Sequence, residues 1–222
     1  MKENLEVWAR EVYNRLKTFA EFEKNEFVVH FSKSPFEILI AIILSQNTSD
    51  KNSIRAFINL KKSIGLDPKN LCEASLEELE RAIRIAGLYR QKSRIIKELA
   101  CKVLFGELDL KRILKMPVDD ARKALLTIKG IGYKTVDVFL AIHGKKTMGV
   151  DTHARRIAIR WGLVRPDATY EEVRNAFLNT FKDIKNYDDL HKMLITLGRK
   201  WCRARKPLCD KCPLNDLCVK CL

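Results

Sequence analysis

Lys134 and Asp151 are the residues of this chain whose types and positions best suit chemistry. A lysine amine can act as a nucleophile, and a carboxylate can stabilise positive charge. Lys134 follows the turn Gly130-Ile131-Gly132, and Asp151 begins another helical segment. Glycines lack a Cβ, so backbone can pass close to another molecule there, and the N–H groups of the next helix can bind a phosphate. The pattern predicts a helix-hairpin-helix that grips a nucleic-acid backbone, although an ordinary glycine-containing helix connection shares it.

A second group with chemistry lies near the C-terminus, where five of the seven cysteines occupy the last 21 residues. Four thiolates brought together by proline turns suit a [4Fe–4S] cluster or a zinc ion. The spacing favours the cluster, with six, two and five residues between the ligands Cys202, Cys209, Cys212 and Cys218. A zinc knuckle remains the alternative, because Cys218 and Cys221 would form a second CxxC pair.

The two other cysteines, Cys72 and Cys101, lie on apolar helix faces and are predicted to be small buried hydrophobic residues. In a reducing cytosol, clustered cysteines indicate metal ligation rather than disulfides.

The charge and hydropathy of the chain limit the class of protein to which it can belong. The 222 residues include 42 basic and 28 acidic side chains, a net charge of +14, which favours a polyanionic partner such as nucleic acid. A generally lysine-rich surface is the alternative. No signal peptide is evident, and no apolar run approaches the roughly 20 residues of a membrane span. We therefore expect a monomeric, cytoplasmic protein of a prokaryote, associated with the nucleoid and not with a membrane.

The elements that position these groups are predicted to be helices. Apolar residues recur with a helical period nearly everywhere, and residues 27–31 are the only candidate strand. Ser75 with Glu78, and Thr169 with Glu172, predict two capping boxes. The sequence predicts an all-α protein of ten or eleven helices.

Four motifs in register resemble the endonuclease III family of DNA glycosylases. The cysteine spacing with RARKP inside it resembles the family's iron–sulfur motif, and LLTIKGIGYKT resembles its helix-hairpin-helix. The stretch from Val150 to His153 resembles its catalytic-aspartate motif, and Gly87-Leu88-Tyr89 with Lys92 resembles a further family segment. The likeness spans roughly residues 36–218.

The resemblance implies two lobes that flank a DNA-binding cleft. A six-helix bundle with the helix-hairpin-helix would cover residues 27–145. Residues 1–26 and 146–222 would form a helical lobe with a structural [4Fe–4S] cluster. The implied partner is double-stranded DNA with damaged bases or abasic sites. The implied activity is removal of an oxidised pyrimidine and cleavage of the abasic site by β-elimination.

The chemistry fits the residues. A glycosylase must flip the nucleotide out of the duplex, and a primary amine can then attack C1′ and form a Schiff base. Lys134 is the predicted amine. The helix N-terminus, desolvation and nearby cations would disfavour its charged form. Asp151 would stabilise the cationic sugar and help move protons, and it can cap its helix at the same time. The simpler interpretations are a surface lysine and a plain N-cap.

The resemblance also implies a set of DNA contacts. Leu88 would fill the gap left by the flipped base, unless it is a core leucine that follows a glycine C-cap. Asn47 stands where the family usually has glutamine and Gln46 where it has alanine, so the opposite-base preference is open. The residues expected to contact DNA are Gln46, Asn47, Leu88, Gly130, Gly132, Tyr133, Thr152 and His153.

Two other functions fit the sequence. A mismatch glycosylase of the same superfamily would remove thymine or uracil opposite guanine, or adenine, but such relatives lack a lysine at the position of Lys134. A non-enzymatic DNA-binding module would combine the hairpin with a zinc knuckle. Asp137, one turn after Lys134, either tunes the amine or simply lies in the lobe interface.

Overall fold

The computed structural model describes residues 2–19 and 27–219, and every regular element in them is helical. The all-α prediction is therefore confirmed. The α-helices, α1 to α12 in chain order, are Lys2–Phe19, Pro35–Ser45, Asp50–Ser63, Pro68–Glu73, Leu76–Ile83, Tyr89–Leu104, Leu110–Lys115, Val118–Leu126, Tyr133–Ile142, Thr152–Arg160, Tyr170–Thr180 and Tyr187–Lys200. Three short 3₁₀ helices cover Val28–Phe31, Arg84–Ala86 and Cys209–Lys211.

The helix starts follow local capping chemistry. Ser34 accepts a hydrogen bond from the Glu37 N–H, with Pro35 in the first turn of α2. Both predicted capping boxes form, at the starts of α5 and α11. The candidate strand was wrong, because residues 28–31 form a 3₁₀ helix. The short helices α4 and α7, each only six residues long, were not predicted from the sequence.

The described residues form two compact units. The central unit comprises residues 27–139, and the terminal unit combines residues 2–19 with 140–219. The predicted boundary falls after residue 145, and the assignment of two domains stays a prediction. That assignment places residues 20–26 in the same domain as residues 1–19, but residues 20–26 lie outside the described part of the chain.

Each unit has its own core. In the central unit, helices α2, α3, α5 and α6 pack together around fully buried side chains such as Ile40, Phe57 and Leu79. In the terminal unit, Trp8 meets Trp161 edge to face, with ring centroids 5.4 Å apart. Such apolar packing positions the helix ends that carry the candidate site residues.

A disulfide joins Cys72 of α4 to Cys101 of α6, 29 residues later. The prediction of two small buried hydrophobic residues was wrong for this pair. Helix α4 packs along α6, and this contact brings the two Cα atoms to 4.9 Å, within the range a disulfide requires.

Within the described residues, no helix combines the length and the apolar character needed to cross a bilayer.

Candidate functional site

The two glycines of the hairpin between α8 and α9 serve different purposes. Gly130 has a φ of +85°, and a Cβ there would lie 2.5 Å from Cδ1 of Ile95. Gly130 is therefore required by the fold itself. A Cβ on Gly132 would meet nothing within 4 Å, so the space above this residue is open. Of the two hairpin glycines, Gly132 is therefore the one whose backbone is open to the close approach of a phosphate.

Lys134 is the second residue of α9, and its side chain is exposed. The folded chain therefore does not bury this amine, contrary to the expectation that desolvation by the protein would disfavour its charge. Exposure leaves the amine accessible to a substrate, and any desolvation would have to come from that substrate.

A buried ion pair lies one turn further along α9. The Asp137 carboxylate is fully buried, and its Oδ1 lies 3.0 Å from Nε of Arg122 on α8. The Arg122 guanidinium also lies over the Tyr133 ring, 5.3 Å from the ring centroid. The pair ties the two hairpin helices together, so Asp137 makes a structural contact within the hairpin.

The two loops predicted to enter the DNA have unusual backbone. Asn47 has a φ of +49° and Leu88 a φ of +47°, the left-handed region that side chains other than glycine rarely adopt. Both side chains are exposed, Leu88 by 52%, so Leu88 is not a core leucine. Gln46 is half-buried, and its amide Nε2 donates to Oγ1 of Thr135 at 2.9 Å.

Asp151 is held in place by the terminal unit. It caps α10, and its Oδ1 accepts a hydrogen bond of 2.7 Å from the Ala154 N–H. Its Oδ2 lies 3.8 Å from Nε2 of His191 on α12, and the Asp151 side chain is only 10% exposed. The N-cap interpretation is correct, and it is compatible with catalysis because it fixes the carboxylate.

The next two residues differ in exposure. Thr152 is exposed, as a DNA contact would require. His153 is half-buried against Gly198, and its Nδ1 lies 3.0 Å from Nη2 of Arg156. Its ring is thus held within the terminal unit.

The four cysteine side chains line one cavity. Cys202, Cys209, Cys212 and Cys218 are free thiols, and Trp161, Leu197 and Leu214 supply apolar walls. Burial, with a smaller contribution from the other three cysteines, raises the pKa of the Cys212 thiol. Four thiolates in one apolar cavity need a cationic centre, so this donor set fits a metal group.

Further contacts of the cysteine segment come from the rest of the terminal unit. Arg160 donates from Nη1 to Sγ of Cys202 at 3.3 Å, which suits a thiolate. Cys221, on which the zinc-knuckle alternative depends, lies outside the described residues.

Sequence reasoning missed the groups that support these residues. Arg122 lies over the ring of Tyr133, His191 lies beside Asp151, and Arg160 donates to Cys202. No local pattern marks these residues, because their partners lie 11 to 42 residues away in sequence.

The comparisons with known proteins agree with this arrangement. Residues 40–183 match the model of HhH-GPD superfamily base excision DNA repair proteins, and residues 202–218 match the iron–sulfur binding domain of endonuclease III. Endonuclease III of Sulfolobus acidocaldarius is 34% identical over 218 residues, 95% of each chain. Endonuclease III of Escherichia coli is 34% identical over 187 residues, 83% of each chain.

A solved structure is similar over almost the whole chain. The trapped covalent intermediate of an endonuclease III with DNA aligns with a TM-score of 0.76 and 29% identity, covering 99% of this chain and 96% of that one. The match at the cysteine segment confirms the predicted [4Fe–4S] cluster.

Proposed function

This chain belongs to the endonuclease III family of the HhH-GPD superfamily of base excision DNA repair proteins, and from that premise we propose that it removes oxidised pyrimidines from double-stranded DNA. It is a DNA glycosylase and abasic-site lyase that binds DNA and carries a [4Fe–4S] cluster. The damaged base, the catalytic residues, a monomeric state and a place at the nucleoid are parts of the proposal.

In the proposed mechanism, Lys134 is the nucleophile. Its neutral amine attacks C1′ of the flipped nucleotide, the C1′–N bond breaks, and the base leaves with the bonding electrons and takes up a proton. Opening of the sugar gives a Schiff base between Nζ and C1′. Loss of a C2′ proton then breaks the C3′–O bond by β-elimination. The exposed position of Lys134 at the start of α9 supports this role.

Asp151 would stabilise the positive charge that develops on the sugar as the base leaves. Its carboxylate is fixed by the cap of α10, so it need not reorganise during the reaction. It would also accept or return protons in the elimination steps. The low exposure of this carboxylate strengthens its interaction with a nearby cation.

The other site residues would bind DNA and the cluster. Leu88 and Asn47 would enter the stack beside the flipped nucleotide, and the open backbone at Gly132 would approach a phosphate. Gln46, Gly130, Tyr133, Thr152 and His153 would support these contacts. The cluster ligands would be Cys202, Cys209, Cys212 and Cys218, which line one cavity. The [4Fe–4S] group would have a structural role there.

Borohydride trapping tests the catalytic assignment. We expect the wild-type protein to form a covalent adduct with abasic-site DNA when borohydride reduces the Schiff base. Lys134→Gln should abolish the adduct without loss of the cluster absorbance. Lys129→Gln is the matched control, because Lys129 is an exposed lysine in the same hairpin that lies before Gly130. An adduct of normal yield in Lys134→Gln would disprove the role of Lys134.

Excision rates on a panel of duplexes test the substrate class. We expect oxidised pyrimidines to be removed faster than thymine or uracil opposite guanine, and faster than mismatched adenine. The reverse order would favour the mismatch glycosylase. The chain matches the enzyme family and its iron–sulfur binding domain. These matches argue against a non-enzymatic module with a zinc knuckle.

A further inference from the structure

A buried ammonium group in the central unit holds two helix ends together. Nζ of Lys92 donates to the carbonyl oxygens of Leu44, at 2.9 Å, and of Ala86, at 2.8 Å. The Lys92 side chain is 1% exposed. Leu44 belongs to the last turn of α2, and Ala86 ends the 3₁₀ helix before α6. Carbonyls at such ends lack partners within their own helix, so one cation satisfies both.

Each of these helix ends leads directly into a candidate DNA loop. Asn47 follows Leu44 by three residues, and Leu88 follows Ala86 by two. These are two of the three non-glycine residues with positive φ in the described part of the chain; the third, Lys206, lies in the cysteine loop. A strained backbone persists only where the surrounding structure over-determines it.

The backbone of Lys92 also holds the Leu88 turn, on the side that faces α6. The Lys92 backbone N–H donates to the Leu88 carbonyl at 2.9 Å, while its side chain holds Ala86. The Leu88 turn therefore lies between two bonds made by one residue. Only the side chain reaches across to α2, and this bond spans 48 residues of sequence.

We propose that Lys92 is a positioning residue that couples the Asn47 loop to the Leu88 loop, so that both side chains enter the gap beside a flipped nucleotide as one preformed unit. This inference rests on the proposed function, in which the two loops contact the gap. Preformed loops enter the DNA without first losing conformational entropy, which is an advantage only for the distorted, base-flipped state.

The residue type fits this role. An ammonium has three donors on a flexible stem, so it can serve two carbonyls that point from different directions. Burial lowers the pKa of Lys92 to about 8, as expected where carbonyl dipoles rather than a carboxylate surround the cation. Even the neutral amine retains two N–H donors, so the bridge survives deprotonation.

The chain contains a matched control on the same helix. Nζ of Lys97, also on α6, donates to the carbonyl oxygens of Cys72, at 2.5 Å, and Ala74, at 2.6 Å, at the end of α4. This lysine makes the same kind of bridge, but α4 leads to α5 and to no candidate DNA loop. Lys97→Met therefore removes a carbonyl bridge without touching the two loops.

The experiment compares the affinity for two duplexes, one undamaged and one with a stable abasic analogue. If loss of the bridge lowers the population of correctly paired loops to one tenth, the affinity for the abasic duplex falls about tenfold. We expect Lys92→Met to bind the abasic duplex about tenfold more weakly than the wild type. Its affinity for undamaged duplex should stay within about twofold of the wild type, because Gly132 and the basic surface supply that binding. Lys97→Met should keep the wild-type ratio even where its Tm falls equally.

Two results would overturn the coupling. One is a folded Lys92→Met protein with the wild-type ratio of affinities. The other is an equal loss of that ratio in Lys97→Met, which would make the effect one of general stability. A wild-type protein that shows neither preference for the abasic duplex nor a borohydride adduct would instead refute the proposed function, so the two failures are distinguishable.

A second measurement needs no change at Lys92, in case that variant does not fold. Asn47→Gly and Leu88→Gly remove the two side chains and keep the positive φ accessible. Glycine also loosens the backbone of each loop, so if the loops act as one unit the two effects should couple, and the double variant should lose less abasic-site affinity than the sum of the two single variants. Additive losses would mean independent loops and would overturn the inference.

Discussion

The two units present their candidate catalytic groups in opposite ways. In the terminal unit, the Asp151 carboxylate is itself held, by the N–H of Ala154 and beside His191. In the central unit, the Lys134 amine is exposed, and the buried polar contact of its helix lies one turn away, between Asp137 and Arg122.

This difference indicates a division of labour between carboxylate and amine. In the proposed mechanism, the fold fixes the carboxylate that would stabilise charge, because preorganised charges act without reorganisation during the reaction. It leaves accessible the amine that would form a bond to the substrate in that mechanism. In the central unit the buried ion pair organises the helix, and in the proposed mechanism the DNA would organise the amine. The predictions below test this contrast from the largest expected effect to the smallest.

The largest effect should follow from breaking the buried ion pair of the central unit. Arg122→Met removes the guanidinium from a fully buried carboxylate, which should cost about 3–5 kcal/mol of stability. For a domain of this size we expect Tm to fall by at least about 6 °C, measured by circular dichroism on protein that retains its cluster.

The matched control for that variant changes both partners. Arg122→Met combined with Asp137→Leu removes the buried charge as well, and it should recover most of the lost stability. If Arg122→Met melted like the wild type, the ion pair would not organise the hairpin, and the contrast between the units would lose its central part.

The next effect should be on catalysis in the terminal unit. Asp151→Asn keeps an equally good N-cap and removes the charge, so we expect a wild-type Tm and a single-turnover excision rate lower by about 10²–10³-fold. Asp151→Ala loses the cap too, at a cost of about 1 kcal/mol of stability. An Asn variant with near wild-type rates would show that the carboxylate serves only as a cap.

The parts of this arrangement that sequence predicted are those with local signals. The capping boxes, the Pro35 helix start and the Asp151 cap each depend on residues within one turn of each other. The cysteine spacing was informative for the same reason. From such local signals the sequence predicts where helices begin and which residues are candidates for the site.

The missed contacts all join residues that are distant in sequence. Cys72 and Cys101 are 29 residues apart, and the Lys92 bond to Leu44 spans 48. Whether such residues meet depends on which helix faces pack together, and the apolar period of each helix leaves that open. The environment of Lys134 was misjudged for the same reason, since desolvation depends on neighbours from other elements.

The smallest effect, and the sharpest test of an exposed binding surface, comes from the two hairpin glycines. Gly132→Ala adds a methyl group into open space, so Tm should change little, while a phosphate that approaches this backbone would meet the new Cβ. We expect the affinity for duplex DNA to fall severalfold, equivalent to about 1 kcal/mol.

Gly130→Ala should do the reverse, lowering Tm through its positive φ and its contact with Ile95. Fluorescence anisotropy and melting curves on both variants separate the two roles. If Gly132→Ala bound duplex as tightly as the wild type, the open backbone would not be a phosphate site, and the exposed groups of the central unit would reduce to the loops and the amine.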